Sequence, residues 1–358
     1  MASKAWRHVL VRGEQKISYA AAVRELKEKG PVRLYFLWGE EDYLTSCFRD
    51  ELKKACISDA EDDFSYHRLG ENFSVPALSE AVDSMPFLSE RSFVEVNGLD
   101  LNRLPEASTT ELIKILKDIP DYCTVVFTES SEFEPDKRLK LYKAFLPLCK
   151  ELRFSAQDGS QLMRWIVRRF AADGKEIELP AAQRLISVSG ELMNRLIPEI
   201  AKISAYAQGS KVTVADVDAV AHHIPEALVF DMTDRLSAGE YNAALGLLGE
   251  LLADKNNEPI QILAIIGIQM RRLYAARLAI DEGLGKDYVM KTCGLKYDFQ
   301  ATKLMRPAHA FTAKSLADAV ELCAETDYRL KSSGDDPASL LKECVLRIAV
   351  GGSNVQSV

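Results

Sequence analysis

Several features that would assign this chain to a membrane, secreted or metal-binding class are absent. No apolar run exceeds that of Ile262 to Ile268, which is far short of the roughly 20 residues that a helix needs to cross a bilayer. The 7 cysteines are odd in number, scattered and never spaced as C-x-x-C, which argues against a disulfide framework or a zinc knuckle. Met1 to Gly13 contain no signal-peptide core, so we expect a cytoplasmic protein without a membrane partner.

An excess of positive charge is also missing. The 53 acidic residues outnumber the 45 basic ones and leave a net charge of -8. Because phosphate backbones attract basic surfaces, we expect no overall attraction to nucleic acid. Any contact with DNA is therefore local or comes through partner proteins. The remaining composition, 47% hydrophobic and 27% charged over 358 residues, is that of a globular protein with two or three domains.

The first block of the chain, residues 1–156, has the pattern of an α/β domain. Short apolar runs such as Val32 to Trp38 alternate with helical patterns such as Tyr43 to Ala55. Strands and helices that follow each other in turn are typical of a mostly parallel, buried sheet.

Strand patterns nearly disappear beyond Gln157. Amphipathic segments such as Ser160 to Ala172 follow instead, and Thr213 stands where an N-cap precedes the predicted helix Asp216 to His222. A second boundary falls near Pro225, because proline disfavours a helical residue before it. The sequence therefore predicts a small helical domain and then an all-helical bundle.

The first strand-to-helix junction is the place where an α/β nucleotide-binding domain holds phosphate. Such a loop needs glycines for a close backbone approach, a lysine for the phosphates and a hydroxyl for magnesium. Here Gly39 is followed by three carboxylates, those of Glu40, Glu41 and Asp42. These charges oppose phosphate binding, whereas acidic residues at a helix N-terminus complement the helix dipole. The later strand offers only an isolated Glu95, so we expect no cofactor and no metal at this degenerate phosphate loop.

The segment Ser84 to Arg91 is unusual because it places large apolar residues in a turn-like stretch. Met85, Phe87 and Leu88 lie here, directly after a predicted helix that Pro86 prevents from continuing. Large apolar side chains on a loop either pack beneath it or anchor in the pocket of a partner. The residues alone slightly favour packing beneath the loop.

Five segments, in order along the three blocks, carry a resemblance to a known family. They are Leu34 to Leu44, Met85 to Arg91, Glu199 to Tyr206, Pro259 to Leu263 with Gln269 to Leu273, and Glu325 to Lys331. Each is a weak signal alone, but together they resemble the delta subunits of the bacterial DNA polymerase III clamp loader over nearly the whole chain. The resemblance implies a RecA-like AAA+ domain at 1–156, a small helical lid domain at 157–225 and a helical collar domain for oligomerisation at 226–358.

The resemblance also implies a function and a site. In this family the delta subunit binds no ATP, and it binds and opens the sliding clamp, or beta subunit, for loading on primed DNA during replication. The collar joins the other clamp-loader subunits. Two adjacent hydrophobic residues grip the clamp, and here they are Phe87 and Leu88 with Met85 in support, which favours anchoring over packing beneath the loop. No intrinsic catalysis is expected of such a subunit of the polymerase III holoenzyme.

Two alternatives remain. An active AAA+ ATPase also combines an α/β domain with a helical lid, but the loop at Gly39 has no Lys-Ser/Thr pair. A delta-prime-like stator subunit is less favoured because zinc-ligand spacing is missing. Related subunits carry a Ser-Arg-Cys motif that donates an arginine finger, and the similar place here, Pro147 to Cys149, retains the cysteine without the arginine.

Overall fold

The computed structural model describes residues 18–57, 63–70, 73–98, 105–131, 133–136 and 138–353. The chain forms two compact units that divide between Gln157 and Asp158. The expectation about Met1 to Gly13 lies outside the described residues. Over the ranges that the structure describes, no helix combines the length and the apolar character needed to cross a membrane.

The first unit is built on a parallel sheet. Its described strands are β1 (Leu34–Trp38), β2 (Tyr66–Leu69), β3 (Ser92–Asn97), β4 (Cys123–Thr128) and β5 (Lys150–Arg153). Its described α-helices are α1 (Tyr19–Lys29), α2 (Asp42–Cys56), α3 (Val75–Asp83), α4 (Glu106–Lys117) and α5 (Lys140–Phe145). The strands pair in parallel in the order β2-β3-β4-β1-β5. The predicted alternation of strand and helix around a parallel sheet is confirmed.

Burial explains which strands the sequence revealed. All residues of β1 are buried, as are nearly all of those in β3 and β4, so β1 is a continuous apolar run and the other two strands are mainly apolar. The sequence analysis does not predict β2, whose residues include His67 and Arg68. Among the described strands, β2 pairs with β3 and lies at the sheet edge, where a half-buried strand needs no apolar run.

The second unit is almost entirely helical, as predicted. Its first part contains α6 (Gly159–Ala172), β6 (Glu176–Ile177), α7 (Leu179–Ser189), α8 (Met193–Tyr206), β7 (Lys211–Val212) and α9 (Val214–Val220). Its second part contains α10 (Pro225–Ser237), α11 (Tyr241–Ala253), α12 (Pro259–Asp281), α13 (Lys286–Cys293), α14 (Asp298–Ala308), α15 (Ala313–Ser332) and α16 (Pro337–Ser353). The short strands β6 and β7 pair in parallel.

Local signals account for the ends of several helices. The Thr213 hydroxyl accepts the Asp216 N–H at 3.4 Å, and the Asp216 carboxylate accepts the Thr213 N–H at 2.8 Å, so Thr213 is the predicted N-cap of α9. This helix ends at Val220, two residues before the expected His222, because Ala221 is extended. The long helix α12 begins at Pro259, as the proline predicts.

Ion pairs connect the first and second parts of the second unit. The Arg184 guanidinium on α7 lies 2.5 Å from Asp218 on α9 and 3.4 Å from Asp231 on α10. Lys303 on α14 lies 3.5 Å from the same Asp231 carboxylate. The ranges predicted as lid and collar both lie within this unit, and Asp231 ties helices of the two ranges together.

Candidate functional site

The segment Gly39 to Asp42, which the sequence predicts to be a degenerate phosphate loop, hydrogen-bonds to the chain after β5. The Glu41 N–H donates to the Phe154 carbonyl at 3.0 Å, and the Phe154 N–H donates to the Trp38 carbonyl at 2.9 Å. Gly39 has a φ of +130°, and a Cβ at this position would lie 2.4 Å from the Phe154 carbonyl oxygen. Only glycine fits such a close approach. The Glu41 N–H, which lies where a phosphate loop presents its donors, is therefore used within the protein.

The three carboxylates of this segment have different surroundings. Glu41 is fully buried, with 0% of its surface exposed. Glu40 lies 3.7 Å from Arg153 and also accepts the Ala156 N–H at 3.4 Å. Asp42 occupies the first turn of α2, where a negative charge stabilises the helix dipole. At the junction of β1 and α2, Glu40 is thus paired with Arg153, Asp42 is placed at the start of the helix, and Glu41 is buried.

The loop that follows α3 exposes its large apolar side chains. It has no regular secondary structure from Ser84 to Arg91. Met85 is 75% exposed, Phe87 is 78% exposed and Leu88 is 57% exposed. The slight preference for packing beneath the loop, drawn from the residues alone, is therefore wrong.

Hydrogen bonds from the Phe87 backbone and from the Arg91 side chain join this loop to the rest of the first unit. The Phe87 N–H donates to the Ser65 hydroxyl at 3.3 Å, and Ser65 is fully buried. At the end of the loop, the Arg91 guanidinium donates to the Thr124 hydroxyl on β4 at 3.3 Å and 3.4 Å. The exposed side chains are therefore presented by a held backbone.

Phe64 is a further exposed apolar residue beside this loop, and sequence reasoning missed it. It is 74% exposed, and its ring centroid lies 6.4 Å from that of Phe87, with the ring planes inclined at 64°. Phe64 follows the acidic run Glu61 to Asp63 and precedes β2, which the sequence does not predict. No local pattern could therefore place it next to Phe87. We refer to Phe64, Met85, Phe87 and Leu88 as the apolar loop surface.

A buried carboxylate ties the edge strand β2 to the sheet. Glu95 is 3% exposed and accepts hydrogen bonds from the Tyr66 hydroxyl at 2.6 Å and the Asn97 amide at 2.7 Å. The Arg49 guanidinium lies 3.3 Å away. Burial acts to raise the pKa of Glu95, but these hydrogen bonds and the charges of Arg49 and Arg68 outweigh it and hold that pKa below its ordinary value. Burial also raises the pKa of Tyr66 to about 12.

These contacts give Glu95 a structural role. Its carboxylate joins α2, β2 and β3 through Arg49, Tyr66 and Asn97. Among the residues that the structure describes, no group of His, Cys, Asp and Glu side chains is arranged to hold a metal ion.

The segment compared with the Ser-Arg-Cys motif lies just before β5. A short 3-10 helix spans Leu146–Leu148, and Cys149 follows it with its thiol 3.6 Å from the Leu146 carbonyl. Burial raises the pKa of the Cys149 thiol, which keeps it protonated. All 7 cysteines of the chain are described, and none forms a disulfide.

Two family models match the chain, one in each unit. The model described as DNA polymerase III, delta subunit, matches residues 35–153, and that of the DNA polymerase III delta subunit, C-terminal domain, matches residues 226–348. DNA polymerase III subunit delta of Bacillus subtilis (strain 168) is 23% identical over 331 residues, which cover 90% of this chain and 94% of the relative. The probable DNA polymerase III subunit delta of Aquifex aeolicus (strain VF5) is 25% identical over 331 residues, which cover 87% and 89%.

A solved structure shares the fold. The DNA clamp loader delta protein of Bacillus subtilis matches with a TM-score of 0.52 and 21% identity, covering 93% of this chain and 100% of that chain. The expected fold class is thus confirmed as a mixed α/β fold, in which a domain with a parallel sheet is followed by helices. The two family models together cover more than half of the chain, which therefore belongs to the DNA polymerase III delta subunit family.

Proposed function

We propose that this chain binds and opens the sliding clamp so that the clamp can be loaded on primed DNA during replication. The observation that carries this proposal is the exposure of Met85, Phe87 and Leu88 on a loop that is tied to the rest of the first unit by a backbone hydrogen bond to Ser65 and a side-chain hydrogen bond to Thr124. Exposed apolar clusters of this kind mark interaction sites. A held backbone also loses little conformational entropy when a partner binds.

The proposed mechanism uses these side chains as anchors. Phe87 and Leu88 insert into a hydrophobic pocket on the clamp, with Met85 in support, and each of the pair contributes on the order of 2 kcal/mol as an interface hot spot. Binding favours an open clamp only to the extent that the contacts are stronger with the open ring than with the closed ring. Binding of this chain therefore shifts an equilibrium between closed and open rings that already exists in the free clamp.

In this proposal the chain neither binds nor hydrolyses ATP and has no catalytic step of its own. The carboxylates of Glu40, Glu41 and Asp42 and the use of the Glu41 N–H by Phe154 support this part of the proposal. The ATP that times clamp opening belongs to partner subunits of the holoenzyme. Saturable, magnesium-dependent ATP hydrolysis by the purified chain would contradict it and revive the ATPase alternative.

The helical unit serves assembly in this proposal. Residues 157–225 act as the lid and residues 226–358 as the collar that joins the other clamp-loader subunits in the cytoplasm. The match of the C-terminal family model to residues 226–348 supports a distinct collar. Because the net charge is -8, the chain meets primed DNA within the assembled complex and not by overall attraction.

The test is a binding measurement with the purified sliding clamp, without nucleotide. We expect the Phe87→Ala/Leu88→Ala variant to lose about 1000-fold in affinity, since two hot spots of about 2 kcal/mol each are removed. A matched control is Leu179→Ala/Tyr206→Ala, because these residues are 63% and 50% exposed in the second unit and we expect no change. Circular dichroism checks that each variant is folded.

Two outcomes would count against the proposal. Unchanged affinity in a folded Phe87→Ala/Leu88→Ala variant would remove the loop from the interface. Absence of any binding by the wild-type chain would contradict clamp binding itself.

A further inference from the structure

We infer that the segment before β2 supplies a second half of the clamp-binding surface, with Phe64 as a contact residue and Ser65 as a positioning residue for Phe87. This inference rests on the proposed function of the loop after α3. It adds residues from a segment that neither the sequence pattern nor the family resemblance singled out.

The geometry of the two aromatic rings supports a shared surface. Phe64 and Phe87 meet edge to face at 6.4 Å, yet they remain 74% and 78% exposed. A contact that leaves about three quarters of each ring in water buries little apolar area, so mutual packing does not account for their placement. The two rings therefore form an exposed apolar pair that a partner can cover, and the exposed Met85 and Leu88 lie within two residues of Phe87 in the chain.

Phe64 lies in a short 3-10 helix, Asp63–Ser65, directly before β2. Tyr66, two residues later, bonds through its hydroxyl to Glu95 at 2.6 Å, and its ring stacks on Phe93 at 6.2 Å. The ammonium group of Lys53 lies 3.4 Å from the centroid of the Tyr66 ring. Because the strand that follows is held in this way, Phe64 contacts a partner with a small loss of backbone entropy.

Ser65 links this segment to the loop. Its buried hydroxyl accepts the Phe87 N–H at 3.3 Å, across a separation of 22 residues. Pro86 fixes its own φ and has no N–H, so the Phe87 amide is the donor that orients this part of the loop. The hydrogen bond therefore restrains the backbone at Phe87, from which the side chain extends.

Charge near the surface specifies the chemistry of the partner. The exposed carboxylates of Asp83 and Glu90 flank the loop at its two ends. An apolar pocket with a basic rim complements this arrangement, because opposite charges around an interface favour the correct encounter. The partner site is accordingly an apolar pocket with a basic rim on the sliding clamp, and it is wide enough for the rings of both Phe64 and Phe87.

The first experiment measures clamp affinity for Phe64→Ala, with Tyr206→Ala as the control that removes an exposed aromatic ring from the second unit. We expect the dissociation constant to rise about tenfold for Phe64→Ala and to stay unchanged for Tyr206→Ala. The double variant Phe64→Ala/Phe87→Ala should raise the dissociation constant by less than the product of the two single increases, because the two rings touch.

The second experiment tests Ser65 as a positioning residue. We expect Ser65→Ala to weaken clamp binding about fivefold and to accelerate amide hydrogen exchange of Phe87. Exchange in β3 and the melting temperature should stay as in the wild type. An equal acceleration of amide hydrogen exchange throughout β2 and β3 would show that Ser65 has a general structural role. It would overturn the assignment of Ser65 as a positioning residue for Phe87.

The outcomes separate this inference from the function on which it rests. Wild-type affinity in Phe64→Ala, together with lost affinity in Phe87→Ala/Leu88→Ala, would overturn the inference and leave the proposed function in place. Absence of clamp binding by the wild-type chain would overturn both.

Discussion

Single side chains in the first unit hold the apolar loop surface in position, and Glu95 is one whose contribution can be measured. It is nearly completely buried and joins Tyr66 on β2 to Arg49 on α2. Because Phe64 and Ser65 directly precede Tyr66, a carboxylate on β3 supports one side of the surface without contacting it. Removal of one partner from a buried hydrogen-bonded group leaves the other partners unsatisfied.

We expect Glu95→Gln to lower the free energy of unfolding at neutral pH by about 2 kcal/mol. The pKa of Glu95 is lowered in the folded state, so its ionised form stabilises the protein above the pKa of the unfolded chain. That stabilisation is lost as the pH falls through the lowered folded pKa. Urea unfolding between about pH 7 and about pH 3 should therefore show the wild type and the variant converging in acid.

The matched control for this prediction is Glu106→Gln. The Glu106 side chain is 88% exposed and lies 3.7 Å from Lys140, which is itself exposed. Exposed pairs contribute little, so we expect a change within about 0.5 kcal/mol. Equal destabilisation by the two substitutions would mean that the contacts of Glu95 do not support β2.

Individual helices follow signals that lie within a few residues of their ends. The capping box of Thr213 and Asp216 begins α9, and Pro259 begins α12. The edge strand β2 has no such signal, since its place depends on pairing with β3. Elements that depend on a partner elsewhere in the chain are therefore the ones that the sequence analysis missed.

For α9, we expect Thr213→Ala to destabilise the second unit by about 1 kcal/mol, because the N-terminal N–H groups lose their side-chain acceptor. Thermal or urea unfolding followed by circular dichroism measures this. Thr302→Ala is the control, since Thr302 is exposed inside α14 and alanine favours a helix interior. A loss in Thr302→Ala as large as that in Thr213→Ala would contradict the capping assignment.

For the chain as a whole, the second unit contains its own hydrophobic core. Ile266, Met270 and Leu273 on α12 are buried among residues of the neighbouring helices. The α6 helix also keeps its N-cap within the unit, because the Asp158 carboxylate accepts the Gln161 N–H at 2.8 Å. A unit with its own core and caps is able to fold alone.

We expect a fragment of residues 158–358 to fold cooperatively, to be mainly helical and not to bind the sliding clamp, because the apolar loop surface lies in the first unit. Circular dichroism with urea unfolding tests the fold, and the binding assay described above tests the interaction. A fragment that unfolds without cooperativity would contradict the independence of the unit. Clamp binding by the fragment would place a contact outside the apolar loop surface.

Short-range patterns already encode much of this protein. Periodicity predicts the α/β block and the helices after Gln157, Gly39 to Asp42 indicate a phosphate loop without its lysine, and Pro86 indicates the loop that carries Phe87 and Leu88. These signals are readable because each depends on interactions between residues close in the chain.

Packing between distant segments settled the rest. The exposure of Phe87 and its place beside Phe64 depend on contacts between distant segments. These contacts are the pairing of β2 with β3 and a hydrogen bond between residues 22 positions apart. Glu95 similarly meets Tyr66 across 29 positions. A one-residue change in the pairing register of β2 would move its side chains, including that of Tyr66, to the opposite face of the sheet. No local pattern specifies that register for a half-polar edge strand.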